Sequence, residues 1–219
     1  MLLLAHRGYR ADVPENTMAA FEAALRLGVD GIETDVRLSS DGLPVIMHDR
    51  ATPKKRAVVE LTRREIESDV GHPVPVLDEV LDAFADLLWN IEIKNPEVLP
   101  AAMQVLKQFQ RRRRLLVTSF RHDVVTQCAG ELEADCGLLL LAHRPLDIGA
   151  IIVGCAAWPR IKAIVWDYNV VDETVLCTVA ANSWGNYVYG AATHAEHKHC
   201  AGLGLAGLIT DHPAVLRGA

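Results

Sequence analysis

Short apolar runs alternate with amphipathic stretches from one end of the chain to the other. Runs of strand length lie at residues 2–5, 31–36, 88–93, 115–118, 136–141, 163–166, 187–189 and 207–210. Between them, patterns of helical spacing occupy 17–27, 77–84, 100–110, 123–132, 172–181 and 195–201. Repetition of strand and helix is the mark of βα units around a parallel sheet. Eight strands predict an α/β fold, a TIM (β/α)8 barrel, with a doubly wound open sheet as the alternative because strand order is not readable from one sequence. The clearest interruption is 50–76, which holds Lys54, Lys55 and Arg56 and then a short helix-like piece from Thr62. So long a connection after the second strand reads either as a lid or binding loop or as a solvated loop.

Half of the 219 residues are apolar, enough for a substantial core. Pro and Gly are scattered and no linker or low-complexity tract breaks the chain, so one domain over residues 1–219 is expected. A net charge of -6 argues against a nucleic-acid partner, since phosphate-backbone binding draws on accumulated Lys and Arg. The arginine run 111–114 follows a predicted helix and reads as its solvated end. Five cysteines without a C-x-x-C pair fit no closed disulfide framework, which points to a reducing, cytoplasmic setting. The N-terminal apolar run is too short for a signal peptide, and the longest one, 148–158, falls short of the ~20 residues a membrane span takes. No stable membrane insertion is expected.

The chemistry sits at strand ends. The first strand runs into His6-Arg7-Gly8, where a barrel carries its active face and where Gly8 permits a sharp turn. In Glu33-Thr34-Asp35 the two carboxylates point to the same side of the second strand, and Glu92-Ile93-Lys94 repeats the device on the third. Apolar neighbours Ile32, Val36, Ile91 and Ile93 mark the opposite side as buried, so the charged side must bind something or pair internally. An ion pair of Lys94 with one carboxylate satisfies two of the four charges. The remaining negative excess would be neutralised by a divalent cation, and oxygen-only ligands favour Mg2+ or Ca2+ over zinc. After the turn at Asp41-Gly42, a short extended run returns His48 towards the same carboxylates, and a histidine pair suits acid-base catalysis. A second cluster, His194, Glu196, His197 and His199, has superficial metal-ligand spacing, but His199 lies off the helical face shared by His194 and His197.

Together, His6-Arg7-Gly8, Pro14-Glu15-Asn16-Thr17, Glu33-Thr34-Asp35, Asp41-Gly42, His48-Asp49 and Glu92-Ile93-Lys94 resemble, in order and spacing, the signature of the glycerophosphodiester phosphodiesterase family, within the phosphatidylinositol phospholipase C-like superfamily. The helix start at Leu77, the strand ending Ser119-Phe120 and the last strand through Asp211 extend the resemblance over nearly the whole chain. It implies a TIM barrel that hydrolyses a glycerophosphodiester to glycerol 3-phosphate and an alcohol. On matching positions, Glu33, Asp35 and Glu92 would hold the metal, His6 and His48 would be the catalytic pair, and Arg7 and Lys94 would contact the phosphate. Glu15 and Asn16 would border the substrate site, although Asn16 reads equally well as the cap of the following helix. Two departures stand out: Tyr189-Gly190-Ala191-Ala192-Thr193 replaces the family's Trp-Thr-Val-Asn-Asp-like stretch, and the insertion after the second strand is short. A small-molecule diester is the expected partner, with the protein a monomer or homodimer. A phospholipid-directed phosphodiesterase and a non-catalytic barrel that binds phosphorylated ligands are the competing readings.

Overall fold

A computed structural model describes residues 1–217; Gly218 and Ala219, the last two of the expected domain, lie outside the described residues. The strands are β1 (Leu2–His6), β2 (Gly31–Leu38), β3 (Pro44–Ile46), β4 (Leu88–Ile93), β5 (Arg114–Ser119), β6 (Asp135–Leu139), β7 (Ile161–Asp167), β8 (Gly185–Tyr189) and β9 (Gly207–Thr210). Eight of them run parallel in the order β1-β9-β8-β7-β6-β5-β4-β2, and pairing of β1 with β2 closes the sheet. The barrel is therefore observed and the open-sheet alternative is not. The ninth strand, β3, pairs antiparallel with β2 outside the ring, with Val36 opposite Ile46, and corresponds to the short extended run before His48. Helices α1 (Met18–Leu27), α2 (Arg63–Val70), α3 (Leu77–Ala83), α4 (Leu99–Phe109), α5 (His122–Glu131), α6 (Ile148–Gly154), α7 (Glu173–Ala181), α8 (His194–Gly202) and α9 (Ala214–Arg217) complete the described chain.

Side-chain alternation along the strands sorts the residues into two cores. Leu3, Ala5, Ile32, Trp89 and Ile91 face outward into the layer beneath the helices, where Trp89 meets Phe21 edge-on at 5.2 Å. Leu4, Leu88, Leu116, Leu139, Ala163, Val165 and Ile209 fill the barrel interior. Each leucine, valine or isoleucine among them, fully buried, contributes about 1.5–3 kcal/mol. The interior is narrow enough that Gly207 is required by its neighbour, since a Cβ there would lie 2.6 Å from the Tyr187 ring.

Local caps fix where the helices begin. Asn16 is not the cap of α1: Thr17 takes that position and its hydroxyl accepts from the Ala20 amide at 3.2 Å. Asn16 instead sits at φ 56 with its side chain turned into the barrel mouth. At α2, Thr62 and Glu65 form a reciprocal capping box. The arginines after α4 behave as a helix end, with Arg112 over the Phe109 ring at 4.7 Å and Arg111 paired with Glu133.

The insertion is neither a free lid nor a bare solvated loop. Val45, Val58, Leu61, Ile66, Val74 and Val76 make a small core of their own against β3. Above it, the Asp69 side chain, 1% exposed, accepts two hydrogen bonds from Arg56 and one from Thr52, each 2.8 Å, with Lys54 at 3.1 Å. The Arg56 guanidinium, ahead of every other cause, holds the Asp69 carboxyl well below the usual carboxylate range.

Gly207→Ala is expected to lower stability by about 1–3 kcal/mol through overpacking against Tyr187, read as a lower urea midpoint at unchanged m-value. An unchanged midpoint would show that the ring can move aside.

Candidate active site

Every polar strand end singled out in the sequence faces the same mouth of the barrel. After β1 the chain turns through Arg7 at φ 58 and Gly8 at φ 83, and a Cβ on Gly8 would lie 2.7 Å from Ala20. A left-handed arginine is uncommon and costs backbone energy. It is held by backbone bonds from Arg7 N to Glu33 O and from Asn16 N to Arg7 O, both 2.9 Å. Glu33 and Asp35 on β2 and Glu92 on β4 are buried, and each can place one oxygen so that all three lie within 4.8 Å of one another. His48 follows β3, its backbone carbonyl fixed by Arg37 Nε at 2.7 Å.

Internal pairing satisfies part of this charge. Lys94 Nζ bridges Asp35 Oδ1 at 2.7 Å and Glu92 Oε1 at 2.8 Å. Arg7 Nε lies 3.3 Å from Asp35 Oδ2, which also accepts from Asn16 Nδ2 at 2.8 Å, while Asn16 Oδ1 accepts from Thr34. Glu33 is left over: its Oε2 is buried without a hydrogen-bond partner and lies 3.7 Å from His6 Nε2. Burial, then the Asp35 and Glu92 charges, push the Glu33 carboxyl well above the usual carboxylate range. Glu92 is raised mainly by burial. Burial acts the same way on Asp35, but Lys94 and Arg7 outweigh it and leave that carboxyl low. Lys94 is itself raised, because Asp35 and Glu92 more than offset its burial.

Both histidines are backed by a carboxylate on Nδ1. Asp211 Oδ1 lies 2.6 Å from His6 Nδ1, and Asp49 Oδ1 lies 2.8 Å from His48 Nδ1. A carboxylate can only accept from an N–H, so each ring carries its proton on Nδ1 and leaves Nε2 for other partners. Asp211, which burial alone would raise, is held down at about 2 by His6 and Arg10. Arg10 in turn bonds Glu15 at 2.7 Å, and Glu15 bonds Arg7 at 2.8 Å. The pairing thus runs unbroken from Asp35 through Arg7, Glu15, Arg10 and Asp211 to His6.

His6, Arg7, Glu33, His48, Glu92 and Lys94 line one side of a cleft of ≈ 160 Å3 at this mouth. Glu15 and Asn16 do not line it; with His48 they border an adjoining cleft beneath the insertion. The sequence pattern Glu-Thr-Asp, Glu-Ile-Lys and the two histidines is therefore assembled in space. Arg10 and the Asp211–His6 pairing carried no local signal, since 205 positions separate those partners.

The profile of the glycerophosphoryl diester phosphodiesterase family matches residues 6–215. The chain belongs to this family. A glycerophosphodiester phosphodiesterase of Caldanaerobacter subterraneus subsp. tengcongensis is 37% identical to it, covering 98% of this chain and 96% of the relative. Among solved structures, the glycerophosphodiester phosphodiesterase of Thermotoga maritima superposes with a TM-score of 0.86 at 25% identity, covering 99% and 96%. An Oleispira antarctica phosphodiesterase, solved with the product sn-glycerol-3-phosphate, gives a TM-score of 0.87 at 20% identity, covering 100% and 96%. As a member of this family the chain is an enzyme, and it shares its relatives' TIM barrel.

Within the phosphodiesterase the second histidine cluster has a structural use. His197 lies on the inner face of α8 and is fully buried, and its Nδ1 and Nε2 lie 2.6 Å from Thr193 O and Thr210 Oγ1. The carbonyl accepts from Nδ1–H, so Nε2 accepts from the threonine hydroxyl. Among the described residues, only Glu33, Asp35 and Glu92 form a group able to hold a metal ion, so the histidine cluster is not one. No helix of the described chain is long and apolar enough to cross a membrane. All five cysteines are free.

A carboxyl whose pKa is raised on folding costs stability once the unfolded chain ionises. Above the ordinary value of 4.5 the folded phosphodiesterase retains the Glu33 proton that the unfolded chain has lost, so stability falls as pH rises. Metal-free Glu33→Gln should therefore melt higher than the parent at pH 7, by about 2–4 °C for each ~1 kcal/mol relieved. Calorimetry at pH 4 should show the gap closed, because Glu33 is then largely neutral in both states. A gap independent of pH would contradict the assignment.

Proposed function

We propose that this enzyme hydrolyses glycerophosphodiesters to glycerol 3-phosphate and an alcohol, with a divalent cation, Mg2+ or Ca2+, and with His6 and His48 as the acid-base pair. The observation that carries the reading is the grouping at one cleft of three buried carboxylates, two cations and two carboxylate-backed histidines. The relatives that bear the same activity in their names support it, as does the product held by the Oleispira protein.

The donor set fits a hard cation. Glu33, Asp35 and Glu92 offer only oxygen, and Glu33 Oε2 and Asp35 Oδ1 are buried without a hydrogen-bond partner, the latter paired with Lys94 off the bonding direction. Those three residues would hold the ion. The chemistry an ion supplies there is Lewis-acid polarisation of the phosphoryl group. Arg7 and Lys94 share the charge that develops on the phosphoryl oxygens. One histidine, neutral with its proton on Nδ1, takes at Nε2 the proton of the nucleophile, either water or the glycerol hydroxyl beside the phosphorus; the other enters the step as imidazolium, protonated on both nitrogens, and gives its Nε2 proton to the departing alkoxide. Asp211 and Asp49 keep both rings turned so that Nε2 faces the reacting groups. Glu15 and Asn16 set the positions of Arg7 and Asp35 and border the substrate.

The whole chain, 1–219, acts as one catalytic domain whose partner is a small molecule, without nucleic acid and without stable membrane insertion. A monomer or homodimer in the cytoplasm accords with its free cysteines. His6→Ala and His48→Ala should each lower kcat by about 10²–10⁴-fold, and Asp211→Asn should lower it less, in assays of glycerol 3-phosphate release. Chelation, or the Glu33→Ala/Asp35→Ala double substitution, should abolish release from glycerophosphocholine and glycerophosphoethanolamine. Full activity in either histidine variant would sink the acid-base assignment, and full activity in chelator would sink the metal.

A further inference from the structure

The cleft has two unlike flanks. On the β5–β9 side its wall is Phe120, Leu139, Val165, Tyr189 and Ile209. The one hydroxyl there, on Tyr189, donates to Leu140 O at 2.8 Å. That bond pins the Tyr189 ring, which meets Phe120 edge-on at 6.5 Å and 86° to form an apolar corner. Phe120 is 38% exposed, so the corner opens to solvent at its outer edge. The adjoining cleft shares His48 and is bordered by Glu15, Asn16, Asp49 and His72 together with aliphatic side chains of β3 and the insertion.

We infer that the Phe120–Tyr189 corner receives the alcohol half of the diester and selects an uncharged, apolar alcohol, while the glycerol half lies towards His48 and Asp49. This rests on the functional reading above. Glycerol brings two hydroxyls, and a hydroxyl buried without a partner loses roughly tenfold or more in affinity. The apolar corner offers them no hydrogen-bonding group, whereas the other flank carries carboxylates and imidazoles. The five wall residues carry no carboxylate of their own to meet an ammonium-bearing alcohol; the Asp167 and Glu92 charges reach Tyr189, and Lys94 and Arg7 stand in the same cleft as opposing charge. Two rings set edge-on to each other present a hydrophobic angle, not the enclosing faces with which aromatic side chains hold quaternary ammonium groups.

The discriminating pair is glycerophosphocholine and its neutral isostere, the 3,3-dimethylbutyl ester of glycerol 3-phosphate, which keeps the shape and removes the charge. The isostere is expected to have the higher kcat/KM, by about tenfold or more, and n-alkyl esters should improve by up to about fourfold per methylene from ethyl to butyl. Phe120→Asn should bring the isostere-to-choline ratio towards one, while Tyr189→Phe, which keeps the ring, should retain most of it. Equal or better turnover of the choline ester would overturn the inference and leave the phosphodiesterase reading intact. Calorimetric binding of hexyl phosphate and phosphocholine in Mg2+ gives a readout free of turnover. Tighter hexyl phosphate binding supports the apolar subsite even if no ester were hydrolysed, a result that would count against the functional reading alone; tighter phosphocholine binding overturns the subsite.

Discussion

Mutual repulsion among Glu33, Asp35 and Glu92, brought within 4.8 Å inside a sheet that excludes water, is the constraint around which the barrel mouth is arranged. Lys94 answers two of the three charges and Arg7 reaches the same oxygen set from a left-handed turn. Asn16, another left-handed residue, spends its amide on Asp35 and Thr34. Arg7 is in turn paired with Glu15, and contacts of alternating sign continue through Arg10 and Asp211 to His6. Backbone strain at Arg7 and Asn16 and an elevated Glu33 are the energetic traces of three carboxylates whose charge the neighbouring side chains do not fully offset.

Much of this was legible in the chain. Period-two alternation marks Glu33 with Asp35, and Glu92 with Lys94, as one-sided pairs between apolar neighbours, and closure of the sheet then sets them side by side. The barrel strands likewise appear within a residue or two of the apolar runs. What escaped has a physical reason in each case. Helix α6 is almost uniformly apolar, so it carries no amphipathic period from which a helix can be read. Asn16 has the side chain of a helix cap, but Thr17 adopts the extended backbone a cap requires and Asn16 does not. The bond from His6 to Asp211 exists only because β9 closes against β1, which no local pattern announces.

His197 shows the same dependence from the outer side. A fully buried imidazole with both nitrogens engaged ties the first turn of α8 to the end of β9, and Thr210 Oγ1 also accepts from the His212 amide at 2.9 Å. The turn carrying Asp211 is therefore held on both sides, and the carboxylate bonded to His6 takes its position from a histidine that lies outside the cleft.

The self-contained core of the insertion separates two inheritances. The carboxylates and Lys94 belong to strands of the closed ring, whose register cannot slip without turning every side chain to the wrong face. His48 belongs to the segment between β3 and the appendage built on Val58, Ile66 and the Asp69 clamp. Changes of length or sequence confined to that appendage therefore reshape one border of the adjoining cleft and leave the ring carboxylates and Lys94 in place.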